Sequence, residues 1–200
     1  VMKQSLVAKM GLVLLLICAI AGLFLGVAYE TTKDLIAEKK ASVNQEAYQK
    51  VLPNAEQLTP LSVDASQQTD ILEVYESDQG YAIKVLAKGY AGDDIEMAVG
   101  LDHDGMVTGV EVISHSETPG LGSKAAEESF LSQYIGKSAD MQLTVTKTGA
   151  QSEAEIDAIS GATKTTNGVT AGVNRAFTYF NELADCETGL SFYSQKEQKQ

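Results

Sequence analysis

The run Asp157-Ala158-Ile159-Ser160-Gly161-Ala162-Thr163-Lys164-Thr165-Thr166-Asn167 places four hydroxyls and a glycine where an amphipathic stretch begins. Hydroxyls at such a position can cap a helix by accepting the amide protons of its first turn. The same position is also an anion site. Free N–H donors and the positive end of the helix dipole meet there, and a phosphate would be well placed. Residue types alone leave both readings open. They also leave Ser160, Thr163, Thr165 and Thr166 as competing hydroxyls for any ester bond.

A second group is His115-Ser116-Glu117-Thr118-Pro119-Gly120-Leu121-Gly122. On its own it reads as a Pro-Gly turn between a strand and a helix, with His115 a loop residue. Gly120 and Gly122 allow the backbone to approach a neighbour closely. Asp102-His103-Asp104-Gly105 has the residue types of a metal site, but Asp-Gly is turn chemistry and a polar hairpin loop explains it. Lys147-Thr148-Gly149 matches the K-T-G of penicillin-recognising enzymes. That chemistry needs a Ser with Lys three residues later, and the chain has none. There is no G-x-S-x-G, P-loop or H-E-x-x-H. Without CxxC or a Cys/His cluster, no iron–sulfur or zinc site is expected. Cys18 lies in an apolar run and Cys186 in a polar tail with acidic neighbours, so they are not expected to pair, and Cys186 reads as an inert thiol.

The elements that would position these groups form an α+β pattern. Ile71–Glu76 and Tyr81–Lys88 flank the turn Ser77-Asp78-Gln79-Gly80. Ile95, Met97, Val99 and Leu101 alternate along a third strand, and Met106–Ile113 gives a fourth, so an antiparallel meander is expected. Ser123 can cap a helix reaching about Ile135, with Ala126, Phe130, Leu131 and Tyr134 inward. Leu143–Lys147 reads as a short strand. A last helix from near Thr163 to about Ala184 carries the apolar stripe Val169, Val173, Ala176, Phe177 and Phe180. Strands followed by mixed helices make one domain, an antiparallel sheet packed by helices.

Ahead of that domain stands a membrane segment. Met10 to Tyr29 is a 20-residue run without a charge, long enough for about 30 Å of hydrocarbon. Gly26-Val27-Ala28 has the small residues of a cleavage site, but the run exceeds the usual signal-peptide core, which favours an uncleaved anchor. Ile17 before Cys18 argues against a lipoprotein. Glu30 to Val51 reads as a helical stalk with Leu35, Ile36, Val43, Ala47 and Val51 on one face, ended by Leu52-Pro53-Asn54. The expected division is 1–29 tail and transmembrane helix, 30–54 stalk, 55–190 main domain and 191–200 tail, with 55–69 a polar loop. From Glu30 onward 27 acidic residues face 13 basic ones, a formal charge of −14. Such a surface repels phosphate backbones and excludes nucleic acid as a partner.

Asp157-Ala158-Ile159-Ser160-Gly161-Ala162-Thr163 resembles the flavinylation motif of the FMN-binding domain family. The resemblance implies that a separate flavin transferase esterifies the phosphate of FMN to Thr163, that Asp157 serves the transferase, and that Ser160, Gly161 and Ala162 complete the motif. Lys164 departs from the small or hydroxyl residue that would suit the next position. Glu117-Thr118-Pro119-Gly120-Leu121-Gly122 resembles the family's E-T-P-G-L-G loop. By that resemblance Glu117, Thr118 and Leu121 contact the isoalloxazine, and Gly120 and Gly122 bring the backbone close. The family includes subunits of Rnf-type electron-transport complexes and of sodium-translocating NADH:quinone oxidoreductases, and the short chain resembles the Rnf type. The resemblance thus implies an electron-transfer subunit with covalent FMN in a translocase of the ferredoxin:NAD oxidoreductase kind. Its partners would be other membrane and peripheral subunits. It would be a single-pass protein of a bacterial or archaeal membrane, with the flavin domain on the extracytoplasmic side. The rival is a membrane-anchored, non-redox scaffold or ligand-binding module whose S-G-A-T only caps a helix.

Overall fold

Alternating apolar and polar residues build the sheet. The computed structural model describes residues 2–63, 70–90 and 92–197, with side chains from Lys9 to Ala184 within those spans. Five strands, β1 (Thr59–Leu61), β2 (Ile71–Ser77), β3 (Gly80–Lys88), β4 (Asp94–Leu101) and β5 (Val107–Ser114), pair antiparallel in chain order. The meander read from the sequence is therefore present, its strands within a residue of the expected bounds. β1 falls in the segment expected to be loop. It is three residues long, carries Pro60 and sits at the sheet edge, where a strand tolerates proline.

Register assigns the two faces. Ile83 lies opposite Val99 and Val85 opposite Met97, and these side chains join Ile95 and Leu101 in the main core. Helix α3 (Thr163–Glu197) lies on that face and contributes the expected stripe Val169, Val173, Ala176, Phe177 and Phe180, all buried. Each large apolar side chain removed from water stabilises the fold by about 1.5–3 kcal/mol. The helix settles close to β3 because Gly168 has no side chain: a Cβ there would lie 2.2 Å from the Lys88 carbonyl oxygen. Asp102 Oδ1 accepts the amides of Asp104 and Met106 at 3.0 and 2.8 Å, so the 102–105 segment is the hairpin turn its Asp-Gly suggested.

Helix α1 (Met2–Val51) contributes to two separate units of the chain, Val1–Val43 and Asn44–Gln200. In the first, Leu14, Ile17, Phe24, Leu25 and the other large apolar side chains described are exposed, and the helix is long and apolar enough to cross a membrane. In the second, Ala47, Tyr48, Val51 and Leu52 cover Ala82 and Ala98 on the other face of the sheet. Leu35, Ile36 and Val43 of the expected stalk face are exposed, while Ala47 and Val51 are buried. Lys84, buried beneath this last turn, pairs with Glu73 at 3.4 Å and Glu96 at 3.2 Å.

The helix expected over 123–135 is broken. A 3-10 turn (Gly122–Ala126), one helical turn α2 (Glu128–Leu131) and a second 3-10 turn (Ser132–Tyr134) replace it, with Glu127 extended between the first two. Ala125 and Phe130 are both buried, and five residues along a continuous helix would point them about 140° apart. The break turns both inward, and Ala126 is only half-buried. Two short strands, β6 (Thr144–Thr146) and β7 (Glu155–Asp157), pair parallel and lead into α3. The backbone of α3 runs past Ala184, and Cys186 lies outside the described side chains.

Candidate functional site

β7 delivers the hydroxyl-rich run to the start of α3. Asp157, its last residue, accepts the Ala150 amide on Oδ1 at 2.6 Å and donates its own N–H to Gln133 Oε1 at 2.8 Å. The chain then turns at Gly161, whose φ of +79° strains any residue with a Cβ. The first helical bond of α3 runs from Thr166 N–H to Ala162 O at 3.0 Å. The amides of Thr163, Lys164 and Thr165 are thus left without an intrahelical acceptor.

The four hydroxyls divide. Thr166 is fully buried; its Oγ1 donates to Ala162 O and accepts the Ile159 amide, both at 3.1 Å. Thr165, also buried, donates to Glu117 Oε2 at 2.7 Å. Ser160 is exposed and Thr163 half-buried, and neither hydroxyl has a partner among the described residues. The residue before the helix is Ala162, which has no oxygen to cap with. No side chain among the described residues caps the first turn, so the helix-cap reading of these hydroxyls does not describe the geometry.

The 117–122 loop stands beside this turn. Leu121 is 47 % exposed, and its Cδ2 would lie 3.2 Å from a Cβ on Gly161. Thr118 is exposed and its carbonyl accepts the amides of Leu121 and Ser123, both at 3.2 Å. Gly120 adopts φ +76° and donates its N–H to Ser123 Oγ at 2.9 Å. Ser123 therefore holds the loop rather than capping a helix. Gly122 is buried, and a Cβ there would lie 2.1 Å from Glu117 Oε2. Glu117 ties the site together: its carboxylate accepts Tyr90 N–H at 2.7 Å and Thr165 Oγ1 at 2.7 Å. His115 accepts the Glu117 amide on Nδ1 at 3.3 Å, in keeping with a loop role.

Around Thr163 opens a groove of about 560 Å³, lined by Ser160, Gly161, Ala162, Thr163, Lys164, Ala158 and Ile159 with Tyr90 and Lys147. Sequence reasoning missed Tyr90 and Lys147 as site residues. The signal for Tyr90 was a lone aromatic between Gly89 and Gly92 in a strand connection. Lys147 had been set aside with its K-T-G match, and only the β6–β7 pairing brings it here.

The groove suits an anionic group joined to a flat aromatic one. Uncapped amides, the helix N-terminus and two ammonium groups receive charge, while Leu121 and Tyr90 offer exposed apolar surface. Residues 89–178 match the FMN-binding domain family. The chain is 34 % identical over 197 residues to the G subunit of the Na(+)-translocating ferredoxin:NAD(+) oxidoreductase complex of Acetobacterium woodii, covering 90 % of this chain and 94 % of that one. It is 31 % identical to the G subunit of the proton-translocating ferredoxin:NAD(+) oxidoreductase complex of Clostridium ljungdahlii, covering 80 % and 83 %. The crystal structure of the C subunit of the Na(+)-translocating NADH-quinone reductase from Parabacteroides distasonis superposes with a TM-score of 0.52 over 72 % of this chain and 94 % of that one. At 17 % identity that likeness speaks to the fold alone.

Proposed function

Since the chain belongs to the family of G subunits of ion-translocating oxidoreductase complexes, with their FMN-binding domain, we propose that it is the electron-transfer subunit of a membrane-bound Rnf-type complex and carries FMN as a phosphoester on Thr163. The observation that supports the attachment site is the division of the hydroxyls. Thr165 and Thr166 are buried and already bonded, whereas Thr163 Oγ1 is unpartnered at the rim of the groove, in the first turn of α3. A phosphate on that oxygen would have the open amides of its own turn as donors. Ser160 is three residues earlier, outside the helix.

The bound flavin supplies reversible uptake and release of electrons at its ring. The protein supplies position. Gly161 gives the turn that presents Thr163, and Leu121 and Thr118 offer a surface for the ring. Asp157 is exposed at the entrance to the motif, where a flavin transferase would meet it. Covalent attachment keeps the cofactor on a domain that, on the extracytoplasmic side, could not draw replacement FMN from the cytoplasm. The apolar helix anchors the chain, and other membrane and peripheral subunits complete the complex. No charged residue lies between Met10 and Tyr29, so ion movement belongs to those partners.

Thr163→Val keeps the β-branched shape and removes only the oxygen. The variant, produced beside the transferase, is expected to be folded, membrane-bound and free of covalent flavin by peptide mass spectrometry. Ser160→Ala is expected to retain it. Flavin found on a neighbouring hydroxyl in Thr163→Val would refute the site, and a colourless parent protein would refute the flavoprotein.

A further inference from the structure

The groove beside Thr163 differs in charge from the rest of the chain. Acidic residues outnumber basic ones 27 to 15 overall, yet the groove is lined by Lys147 and Lys164 and by no carboxylate. The two lysines arrive from separate elements, Lys147 just after β6 and Lys164 as the second residue of α3. Lys50, Lys84, Lys88 and Arg175 each form a salt bridge. Among the described residues, Lys147 and Lys164 have no such carboxylate partner; Lys9, Lys39, Lys40, Lys124 and Lys137 share that lack but do not line the groove. Lys164 Nζ instead stands 5.6 Å from the centroid of the Tyr90 ring. That ring is 65 % exposed, and its backbone is fixed by the Tyr90 N–H bond to Glu117. A cation over an aromatic face is attracted to it without being neutralised.

Building on the reading of this groove as the flavin site, we propose that Lys147 and Lys164 set the reduction potential of the flavin, with Tyr90 the platform that holds Lys164 in the groove. Each electron delivered by the complex's donor adds negative charge to the bound group, and the same electron leaves for the complex's acceptor. The lysines make no bond and release no proton in this exchange. Their positive charge, fixed in the groove that would hold the flavin, would stabilise the reduced form over the oxidised one. Carboxylates, Glu117 beside Tyr90 among them, act in the opposite sense, and the two ammoniums of the groove would offset them.

The test is a spectroscopic redox titration of the full-length flavinylated chain in detergent. Lys147→Gln and Lys164→Gln are each expected to lower the midpoint. At one ambient potential the reduced-to-oxidised ratio should fall roughly three- to tenfold per charge, and by less in high salt. Lys164→Arg is expected to restore the parent value. Tyr90→Leu should move in the direction of Lys164→Gln, and Tyr90→Phe should not. Only bound flavin is read, so the extent of loading does not enter. Where Lys164→Gln blocks attachment, Lys147→Gln, remote in sequence from the attachment hydroxyl, decides the question. Parent-like midpoints in the lysine variants would overturn the proposal while the flavoprotein reading stands. A chain that carries no flavin would overturn that reading instead.

Discussion

At the scale of single residues, Glu117 ties together three segments of the site. Its two oxygens take up the Tyr90 amide and the buried Thr165 hydroxyl, and Gly89 and Gly122 leave room for the carboxylate between them. Glu117→Ala strands a buried donor on Thr165, a loss of about 1–3 kcal/mol. It also frees the connection that carries Tyr90. The variant is therefore expected to unfold at lower denaturant and to show a shifted flavin absorbance while keeping its covalent bond. A parent-like denaturation midpoint and spectrum would remove Glu117 from this role. Resemblance singled out Glu117, but its partners were not legible. They sit at positions 90 and 165, joined to it only by the fold, and no local pattern in the sequence links the three. The choice of Thr163 over Thr165 and Thr166 has the same character. Its physical basis is which hydroxyls are already engaged, a property of tertiary contacts.

At the scale of elements, α3 places the proposed attachment hydroxyl, and its seat on β3 depends on a missing side chain. Alanine at a solvent-facing helical glycine commonly stabilises by up to about 1 kcal/mol through helix propensity. At Gly168 the new methyl would meet the Lys88 carbonyl oxygen at 2.2 Å, so the clash outweighs the propensity. Gly168→Ala is expected to destabilise the domain by about 1–3 kcal/mol in chemical denaturation. It should also lower the fraction of chains that become flavinylated. Asn167→Ala, one residue earlier and exposed, is expected to stay within about 0.5 kcal/mol of the parent. Stabilisation by Gly168→Ala would show that the helix is not held at that distance. The long strands and α3 were legible because strict alternation and a clean apolar stripe each imply one element. β1, β6 and β7 were not, since three residues carry no period and their pairing depends on distant partners. The break at Glu127 was hidden as well. Ala125 or Ala126 serves a helical pattern equally in sequence, and only the core shows that Ala125 and Phe130 share a side.

At the scale of the whole chain, charge and hydropathy divide the sequence into an apolar, nearly neutral N-terminal segment and a strongly acidic remainder. Two lysines precede the span and several follow it, so the positive-inside balance sets no clear direction. Bulk weighs more. The part after the span is a folded domain of the kind that translocates largely regardless of charge. Its formal charge of −14 is also free of the cation excess that retains cytoplasmic loops. On the proposed reading the domain lies outside the cytoplasm, with the groove beside Thr163 open to external solutes. A membrane-impermeant reductant added to intact cells or right-side-out vesicles is expected to bleach the flavin absorbance of this subunit. Added protease is expected to remove the domain and leave the anchor. Inverted vesicles should protect both until they are permeabilised. The opposite pattern, with the domain protected in intact cells and cleaved in inverted vesicles, would place it in the cytoplasm. It would also remove the reason offered for a covalent rather than exchangeable cofactor, because cytoplasmic FMN would then be within reach of the site.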